Sequence, residues 1–515
     1  MASSRIMFVS SNGTGLGHLT RSMAIARRLD RGAESLFVTL SRAAPVVRDM
    51  GFPVEYMASH GSPTAGTDLR WSRRMNARLR AAISEARPGV LVFDGVLPYD
   101  PLLAAMKRVP VKVWCRRGLW QPGASTAPLT RSDLFDAILE PGDFAASADA
   151  GPTSSRRDEA HAVGPIVFLD DEELLTRAEA ERELGLEPGK PTILVQLGQG
   201  PEVADATARC LRALAVAGGV QVAAASSAIA GLLDVPEGVV HLRSTYPMSR
   251  YYAAFDAAVS AVGYNAFHEM VRFGVPALFV PMRRETDDQA ARARYAESAG
   301  VGLAVDGPQD ERIEERLGGL LDAGQRESMR RRLAELRPQN GAGDAAAWVQ
   351  ELAVAAGRRG GSSSRAAQRP ARFGSWARAR VFVRTLPRTL TRLARQTAVA
   401  AGPRVIVLAF GAEEGAIRDA LGRAAEPPER ILLVTDSLAI GDVWRAGTGV
   451  EHVPGAGERQ AELAGTDYAE FRRRRLGLIL AGRPRLRRAI AVGEVPGDLV
   501  AAATAPRRRR ARLLS

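Results

Sequence analysis

The chain has 515 residues, of which 46% are hydrophobic and 25% charged, so it is a folded protein too long for one ordinary core, and about three domains are expected. The formal net charge is +13, but nearly all of the positive charge is arginine, which indicates a compositional bias rather than a nucleic-acid-binding protein. Two cysteines, Cys115 and Cys210, are too few for a disulfide framework and lack the spacing of metal ligands.

No targeting or membrane-spanning segment is predicted. The N-terminus runs directly into a strand, Ile6 to Ser10, without the apolar core of a signal peptide. No stretch reaches the roughly 18 to 20 apolar residues that cross a bilayer. We therefore expect a cytoplasmic protein, either soluble or peripheral on the inner face of the cell membrane.

Residues 1–162 alternate apolar strands with amphipathic helices. This alternation predicts a Rossmann-like domain with a parallel, doubly wound sheet. The predicted strands are Ile6 to Ser10, Ser35 to Leu40, Val90 to Phe93 and Val111 to Trp114.

A second alternating set fills residues 163–356 and predicts a second doubly wound domain. An arginine-rich segment without acidic residues occupies most of 357–402, and a small αβ pattern follows in 403–515, with strands at Val405 to Ala409 and Ile431 to Thr435. The predicted fold class is therefore α/β, with two Rossmann-like domains and a third small αβ domain. Strands of the second set are predicted at Thr192 to Leu197, Val220 to Ala225, Val239 to Leu242, Ala257 to Val262 and Ala277 to Val280.

The segment 261–289 has the pattern of a nucleotide-sugar site. Gly263 closes an apolar strand, and the helix after it presents free N–H groups that favour an anion. Glu269 lies less than two turns into that helix, where its carboxylate can accept two hydrogen bonds from a ribose diol. A polar loop then delivers Asp288 and Gln289, which we expect to hold sugar hydroxyls.

A glycine-rich turn with a histidine follows the first predicted strand. Gly15 and Gly17 lie between this strand and the next helix, with His18 at the helix start. A dinucleotide fingerprint would place an acidic residue about 20 positions further on, where Leu40 and Ser41 stand, so NAD is disfavoured. With an ordinary pKa of about 6.5, a histidine here suits a general base above the crevice, although a structural role is the alternative.

Asp94 follows the predicted strand Val90 to Phe93 at the same carboxyl edge of the sheet. An acidic residue there could bind the far ring nitrogen of His18, fix its tautomer and stabilise the imidazolium. The alternative is a turn or helix-capping aspartate.

Two further loops of the second domain reach the carboxyl edge that carries Gly263. A glycine loop after the strand ending at Leu197 would let backbone N–H groups approach a phosphate. The segment 244–248 could receive a base between flanking side chains, with core packing as the alternative. The candidate donor-binding residues in these loops are Gly198, Gln199, Gly200, Thr245, Tyr246 and Met248.

Together these motifs resemble those of the GT-B glycosyltransferases, particularly the UDP-glycosyltransferases and the N-acetylglucosaminyltransferase that completes lipid II, over residues 5–355. The resemblance implies that His18 is the catalytic base and that Asp94 pairs with it. It implies that Asp288-Gln289 contacts the donor sugar and that residues 245–248 bind uracil. The residues that match the donor motif are Gly263, Tyr264, Asn265 and Glu269, and the glutamate would hold the ribose.

Two departures from the family concern the donor and the base. Ala261 stands where many eukaryotic members have a phosphate-binding histidine, and Thr20-Arg21 replaces the usual proline after the glycine-histidine. The first choice of donor is UDP-N-acetylglucosamine, with another UDP-hexose or a dTDP-sugar open. The implied reaction is an inverting transfer to an acceptor hydroxyl on a glycan or lipid-linked acceptor, with no cofactor and no metal.

Two other functions fit the same fold. A UDP-sugar epimerase would change the sugar without an acceptor, and a non-catalytic module would bind a sugar nucleotide for a partner.

Apolar residues recur at helical spacing among the arginines of 373–393, the pattern of an interfacial helix at an anionic membrane, although packing on the third domain is the alternative.

Overall fold

The computed structural model describes residues 4–11, 16–198, 201–226, 235–242, 245–360, 402–483 and 486–506. The predicted α/β class is confirmed, because the strands form three sheets whose neighbouring strands are all parallel. The arginine-rich segment 361–401 and the basic tail 507–515 lie outside the described residues.

The first sheet has seven strands in the order β3-β2-β1-β4-β5-β6-β7. Its central strand β1 is buried on both faces, as apolar runs in parallel sheets are. The strands are Ser4–Ser10 (β1), Ala33–Thr39 (β2), Val54–Tyr56 (β3), Val90–Asp94 (β4), Val111–Cys115 (β5), Ala137–Pro141 (β6) and Ala160–Val163 (β7). The α-helices are Gly17–Ala26 (α1), Ala44–Asp49 (α2), Asp68–Ala86 (α3) and Asp100–Ala105 (α4).

The second sheet has six strands in the order β10-β9-β8-β11-β12-β13. The chain adds β9 and β10 on one side of β8 and then β11, β12 and β13 on its other side, so the strand order reverses beside β8. The strands are Thr192–Gln196 (β8), Gln221–Ala225 (β9), Val240–Leu242 (β10), Ala257–Ala261 (β11), Ala277–Val280 (β12) and Gly302–Ala304 (β13). The helices are Arg177–Leu184 (α5), Pro201–Ala217 (α6), Tyr264–Arg272 (α7), Gln289–Ser298 (α8), Ile313–Leu321 (α9) and Ala323–Leu336 (α10).

The helix Ala342–Gly360 (α11) follows the second sheet in sequence but packs on the first, against α1, β1 and β4. Its alanine and valine face joins the core that contains Ile6 and Val90. The chain therefore returns to the first domain after the second sheet is complete, although the sequence places this helix in the second domain.

The third sheet has four strands in the order β16-β15-β14-β17. Its core is continuous with that of the first domain, where the rings of Tyr56 and Trp444 lie 5.2 Å apart. The strands are Val405–Phe410 (β14), Ile431–Thr435 (β15), Gly449–His452 (β16) and Arg488–Gly493 (β17). The helices are Glu414–Arg423 (α12), Gly441–Arg445 (α13), Arg459–Leu463 (α14), Tyr468–Leu480 (α15) and Gly497–Thr504 (α16).

Buried ion pairs fix the third domain on the first. The Arg78 guanidinium donates to Glu55 at 2.7 Å and to Glu451 at 2.6 Å, so it joins carboxylates of the two domains. Arg475 donates to Glu55 at 2.9 Å, and Arg483 donates to Glu451 at 2.6 Å. Because these side chains are nearly inaccessible to solvent, separating the domains would leave uncompensated buried charges.

Candidate functional site

His18 and Asp94 meet at the carboxyl edge of the first sheet. Strands β1 and β4 pair in register, so Asp94 lies beside Ser10 at the end of β1, and α1 begins one loop later. The Nδ1 atom of His18 lies 2.6 Å from Oδ1 of Asp94. Asp94 is buried, whereas the His18 side chain keeps 18% of its surface exposed. The structure therefore brings together the two residues that the sequence proposed as a catalytic pair.

The hydrogen bond to Asp94 defines which nitrogen of His18 is free. A charged carboxylate only accepts hydrogen bonds, so we assign the proton to Nδ1 and the lone pair to Nε2. Burial lowers the pKa of His18 below its ordinary value, against the opposing charge of Asp94. The imidazole is therefore neutral at pH 7, the state in which Nε2 can accept a proton.

Arg21 completes this cluster one helical turn after His18. Its Nε donates to Oδ2 of Asp94 at 3.1 Å, and one terminal nitrogen donates to Oδ1 at 2.6 Å. The same nitrogen lies 3.0 Å from Nδ1 of His18. Burial would raise the pKa of Asp94, but Arg21 and His18 hold it below its ordinary value. Asp94 is therefore a carboxylate shared by two donors.

The start of α7, the candidate donor helix of the second domain, faces this cluster. Gly263 is the N-cap of α7 in an extended conformation. The Asn265 side chain donates to the carbonyl oxygen of Gly17 at 3.3 Å, which joins the two domains at the first turns of their helices. Beside this contact, the Thr20 hydroxyl lies 3.0 Å from the hydroxyl of Tyr246. The candidate base and the candidate donor helix thus face each other across the interface of the two domains.

Tyr264 joins the domains through its hydroxyl and its ring. The hydroxyl donates to the carbonyl of Gly142 at 2.8 Å and accepts from the N–H of Ile166 at 3.0 Å. The guanidinium carbons of Arg21 and Arg117 lie 5.0 Å and 5.6 Å from the ring centroid, within cation–π range. The residue was expected to contact the donor, but the structure places its side chain in an interdomain joint.

Glu269 is a buried carboxyl group on α7. It forms no ion pair within the described residues, and only 9% of its surface is exposed. Burial raises its pKa to about 8, against a weaker opposing effect of Ser249. A carboxyl group without a cation in a buried position is suited to a ligand that brings its own hydrogen-bond donors, as a diol does.

Asp288 and Gln289 bind the protein itself through most of their polar atoms. Oδ1 of Asp288 accepts from the N–H of Ala291 at 3.0 Å and caps α8. Oε1 of Gln289 accepts from the N–H of Met282 at 2.9 Å, while its Nε2 donates to Asp287 at 3.1 Å. The two side chains therefore shape the loop, and the sugar contacts expected from the sequence stay a prediction.

Asp287 is the acid of this loop that reaches the first domain. Its Oδ1 accepts from Arg117 at 3.0 Å and from Arg292 at 3.1 Å. Backbone contacts close the same seam, because the N–H of Gln121 donates to Thr286 at 2.8 Å. The loop after β5 and the loop before α8 therefore meet across the cleft.

The remaining candidate residues lie around the second sheet's carboxyl edge. Gly198 is exposed just beyond β8 with a φ of +92°, a left-handed conformation that favours glycine. Thr245 precedes Tyr246 at the same edge, and Met248 begins a 3₁₀ helix and packs on the second core. Three candidates, Gly15, Gln199 and Gly200, lie outside the described residues.

Sequence reasoning did not assign roles to three cationic residues of the cleft. Arg21 was noticed only as a departure from the family, although its spacing from His18 places it on the same helix face. Arg117 lies two residues after β5, at the edge where candidate residues were sought. Arg292 is fully buried and donates to Asp143 and Asp287, an arrangement without a sequence signal.

Comparisons with known proteins found similar glycosyltransferases. Residues 235–347 match the glycosyltransferase family 28 C-terminal domain. A UDP-N-acetylglucosamine--N-acetylmuramyl-(pentapeptide) pyrophosphoryl-undecaprenol N-acetylglucosamine transferase from a Nocardioides species is 28% identical over 318 residues, covering 58% of this chain and 84% of the relative. The enzyme of the same name from Rhodococcus jostii is 28% identical over 384 residues, covering 68% and 96%.

Solved structures with similar folds are more distant in sequence. The calicheamicin glycosyltransferase is 21% identical with a TM-score of 0.47, and the match covers 68% of this chain and 98% of that one. The MurG protein of Acinetobacter baumannii is 15% identical with a TM-score of 0.44, with coverages of 68% and 99%.

Two Rossmann-like domains, together with the family 28 match over residues 235–347, support a glycosyltransferase of the GT-B class. Within that class it resembles the enzymes that form lipid II by transferring N-acetylglucosamine. The epimerase and the non-catalytic module are not favoured, because the relatives named here are transferases. In the part of the chain that the structure describes, no helix is long and apolar enough to cross a membrane.

Proposed function

We propose that this glycosyltransferase moves a hexose, with N-acetylglucosamine as first choice, from a UDP-sugar to a hydroxyl group of a lipid-linked or other cell-envelope glycan. The names of the relatives supply the donor and the class of acceptor. The observation that carries the proposal is the His18–Asp94 contact of 2.6 Å, directly across the cleft from the donor helix. A lipid-linked acceptor would bring the enzyme to the inner face of the membrane as a peripheral protein.

In the proposed reaction His18 is the general base. Its Nε2 takes the proton from the acceptor hydroxyl while the oxygen attacks the anomeric carbon from the face opposite to UDP. The bond to the diphosphate oxygen breaks in the same displacement, so the anomeric configuration inverts. Asp94 holds the Nδ1–H tautomer and stabilises the imidazolium that forms.

The donor side of the proposal uses backbone groups and one carboxyl. The free N–H groups at the start of α7, with the backbone at Gly198, would receive the negative charge of the departing diphosphate. A helix start can carry that charge without a divalent ion, so we propose a metal-independent transfer. The carboxyl of Glu269 would hold the ribose diol.

The test is transfer of radiolabelled N-acetylglucosamine from its UDP donor to a lipid-linked muramyl-pentapeptide acceptor by the full chain. We expect His18→Ala to lower kcat by roughly a hundredfold or more, because general base catalysis contributes about that much, and to leave UDP affinity unchanged. His161→Ala, an exposed histidine on β7, is the matched control. Near-native turnover by His18→Ala with intact UDP binding would refute the base assignment.

Two further measurements address the finer points. Proton NMR of the product reports whether the anomeric configuration inverts. Turnover that persists after exhaustive chelation would support metal independence, whereas loss restored by a divalent ion would contradict it. Formation of a changed free sugar without acceptor would indicate the epimerase reaction instead.

A further inference from the structure

Two adjoining cavities lie beside α3 of the first domain, and the larger of them extends to the third domain. The larger has a volume of about 1010 Å³ and is bordered by α3 on one side and by α14 and α15 on the other. The smaller, of about 510 Å³, lies between the end of α3 and the chain that enters β5. Ala81, Ser84 and Arg87 of the α3 region line both, so the two cavities meet along one helix. Their combined size accommodates a small-molecule ligand.

These cavities are remote from the catalytic pair. Arg5 at the start of β1 and Pro88 before β4 line them, so they open at the amino edge of the first sheet. His18 and Asp94 lie at the carboxyl edge. With seven residues in β1 at roughly 3.3 Å each, the two edges are separated by about 20 Å. A ligand in the cavities would therefore not touch the reacting atoms.

The walls of the cavities are cationic. Six arginines and two glutamates line the larger one, and three arginines without any acidic residue line the smaller. Within the described part of the chain, the side chains of Arg80, Arg87 and Arg108 have neither an ion pair nor a hydrogen bond. By contrast, Arg475 and Arg483 are held by buried carboxylates. The unneutralised charge is concentrated in the smaller cavity and at the junction.

Arg87 occupies that junction in an unusual backbone conformation. It caps the C-terminus of α3 with φ 46° and ψ 54°, the left-handed region in which glycine is the common residue. A side chain there costs roughly 1 to 2 kcal/mol relative to the right-handed region. The chain nevertheless places an exposed guanidinium where the two cavities join.

The larger cavity also offers apolar surface from the third domain. Leu463 of α14 and Leu478 of α15 are half-buried on its wall. We propose that the two cavities bind a molecule with a phosphate or diphosphate group on an apolar body, the phosphate at Arg80, Arg87 and Arg108 and the apolar body against these leucines. Arginine favours phosphate because its planar fork donates two parallel hydrogen bonds. The third domain is then one wall of a second ligand site.

The phosphate group could belong to a free amphiphile or to a membrane lipid, and the experiment separates the two. Binding of farnesyl monophosphate, below its micellar concentration, to the full chain is measured by calorimetry with UDP at saturation to occupy the donor site. Sedimentation with phosphatidylcholine vesicles, with and without phosphatidylglycerol, measures the membrane source. Arg87→Ala and Arg108→Ala are the test variants, and Arg73→Ala, an exposed arginine of α3 outside both cavities, is the control.

We expect each test variant to weaken farnesyl monophosphate binding about tenfold or more, as loss of a charge-assisted hydrogen bond does, and to leave transfer activity unchanged. Arg73→Ala should bind as the native chain does. Binding only to anionic vesicles, weakened by the same variants, would support the site with a lipid as its source. The proposal is overturned if the native chain binds neither probe, or if both test variants bind with native affinity.

Discussion

Replacement of Arg21 by glutamine tests whether this arginine sets the protonation of the proposed catalytic pair, His18 and Asp94. The native side chain is 2% exposed and donates two hydrogen bonds to Asp94, which is 1% exposed. The charge of Arg21 lowers the pKa of His18, while that of Asp94 raises it. Without Arg21, its charge no longer opposes the effect of Asp94 on His18, so the pKa of His18 rises. The imidazole then becomes protonated at a higher pH than in the native enzyme.

The expected cost in stability follows from the burial of both partners. Removing one partner of a buried ion pair costs about 3 to 5 kcal/mol, and His18 remains as a partner of Asp94, so we expect about 3 kcal/mol. That is a large part of a typical stability of about 5 to 15 kcal/mol, yet it leaves a folded protein. The double variant Arg21→Gln/Asp94→Asn removes both charges, so its loss of unfolding free energy should be smaller than the sum of the losses of the two single variants.

The decisive assay is kcat/KM as a function of pH between about pH 5 and pH 9, since its acid limb reports the pKa of the base in the free enzyme. We expect the limb of Arg21→Gln to move to higher pH. Arg21→Lys retains the charge without the two-pronged contact, so its limb should stay near the native position while urea unfolding shows lower stability. If Arg21→Gln leaves the limb in place, or moves it to lower pH, Arg21 has only a structural role.

Three more predictions concern the donor helix and the domain contacts. Burial raises the pKa of Glu269 to about 8, so UDP binding at pH 7 should release the proton of this carboxyl group, and the affinity for UDP should rise toward pH 8. Calorimetry measures both effects, and Glu269→Gln should abolish them. Tyr264→Phe leaves two buried backbone groups unpaired and should lower the free energy of unfolding by about 1 to 3 kcal/mol with unchanged UDP affinity. Arg78→Met should lower it by about 3 to 5 kcal/mol, whereas the exposed Arg73→Met should change it by less than about 0.5 kcal/mol in urea titration.

The sequence predicted that His18 and Asp94 share one edge of the first sheet because parallel topology fixes where strand ends lie. Once Ile6 to Ser10 and Val90 to Phe93 are recognised as strands of one parallel sheet, His18 and Asp94 must follow at the same edge, and their contact confirms that reasoning. The same logic placed Gly263 at the mouth of the second sheet. The three-residue strands β3 and β13 escaped prediction because so few residues show no period, although β10, also of three residues, was predicted. The longer strands β6 and β17 were also missed, so length alone does not decide which strands a pattern reveals.

The direction of individual side chains was not predictable in this way. Tyr264 points into the joint between domains because Gly142 and Ile166 supply backbone partners there, and both are more than 90 residues away in sequence. The pairing of Arg78 with Glu451 spans 373 residues, so no local pattern announces it. Such contacts depend on how whole domains pack, which a motif does not encode.

Thr20-Arg21, which stand where the resembled family has a proline, connect the proposed base His18 to the second domain. A proline has no donor that could reach Asp94, whereas Arg21 both binds that carboxylate and stacks on the ring of Tyr264. Because Tyr264 begins the donor helix, the position of that helix helps to hold the guanidinium against Asp94. A shift of the second domain away from the first would loosen Arg21 and leave Asp94 to act on His18 alone. We therefore expect the pKa of His18, the proposed base, to depend on how the second domain packs against the first.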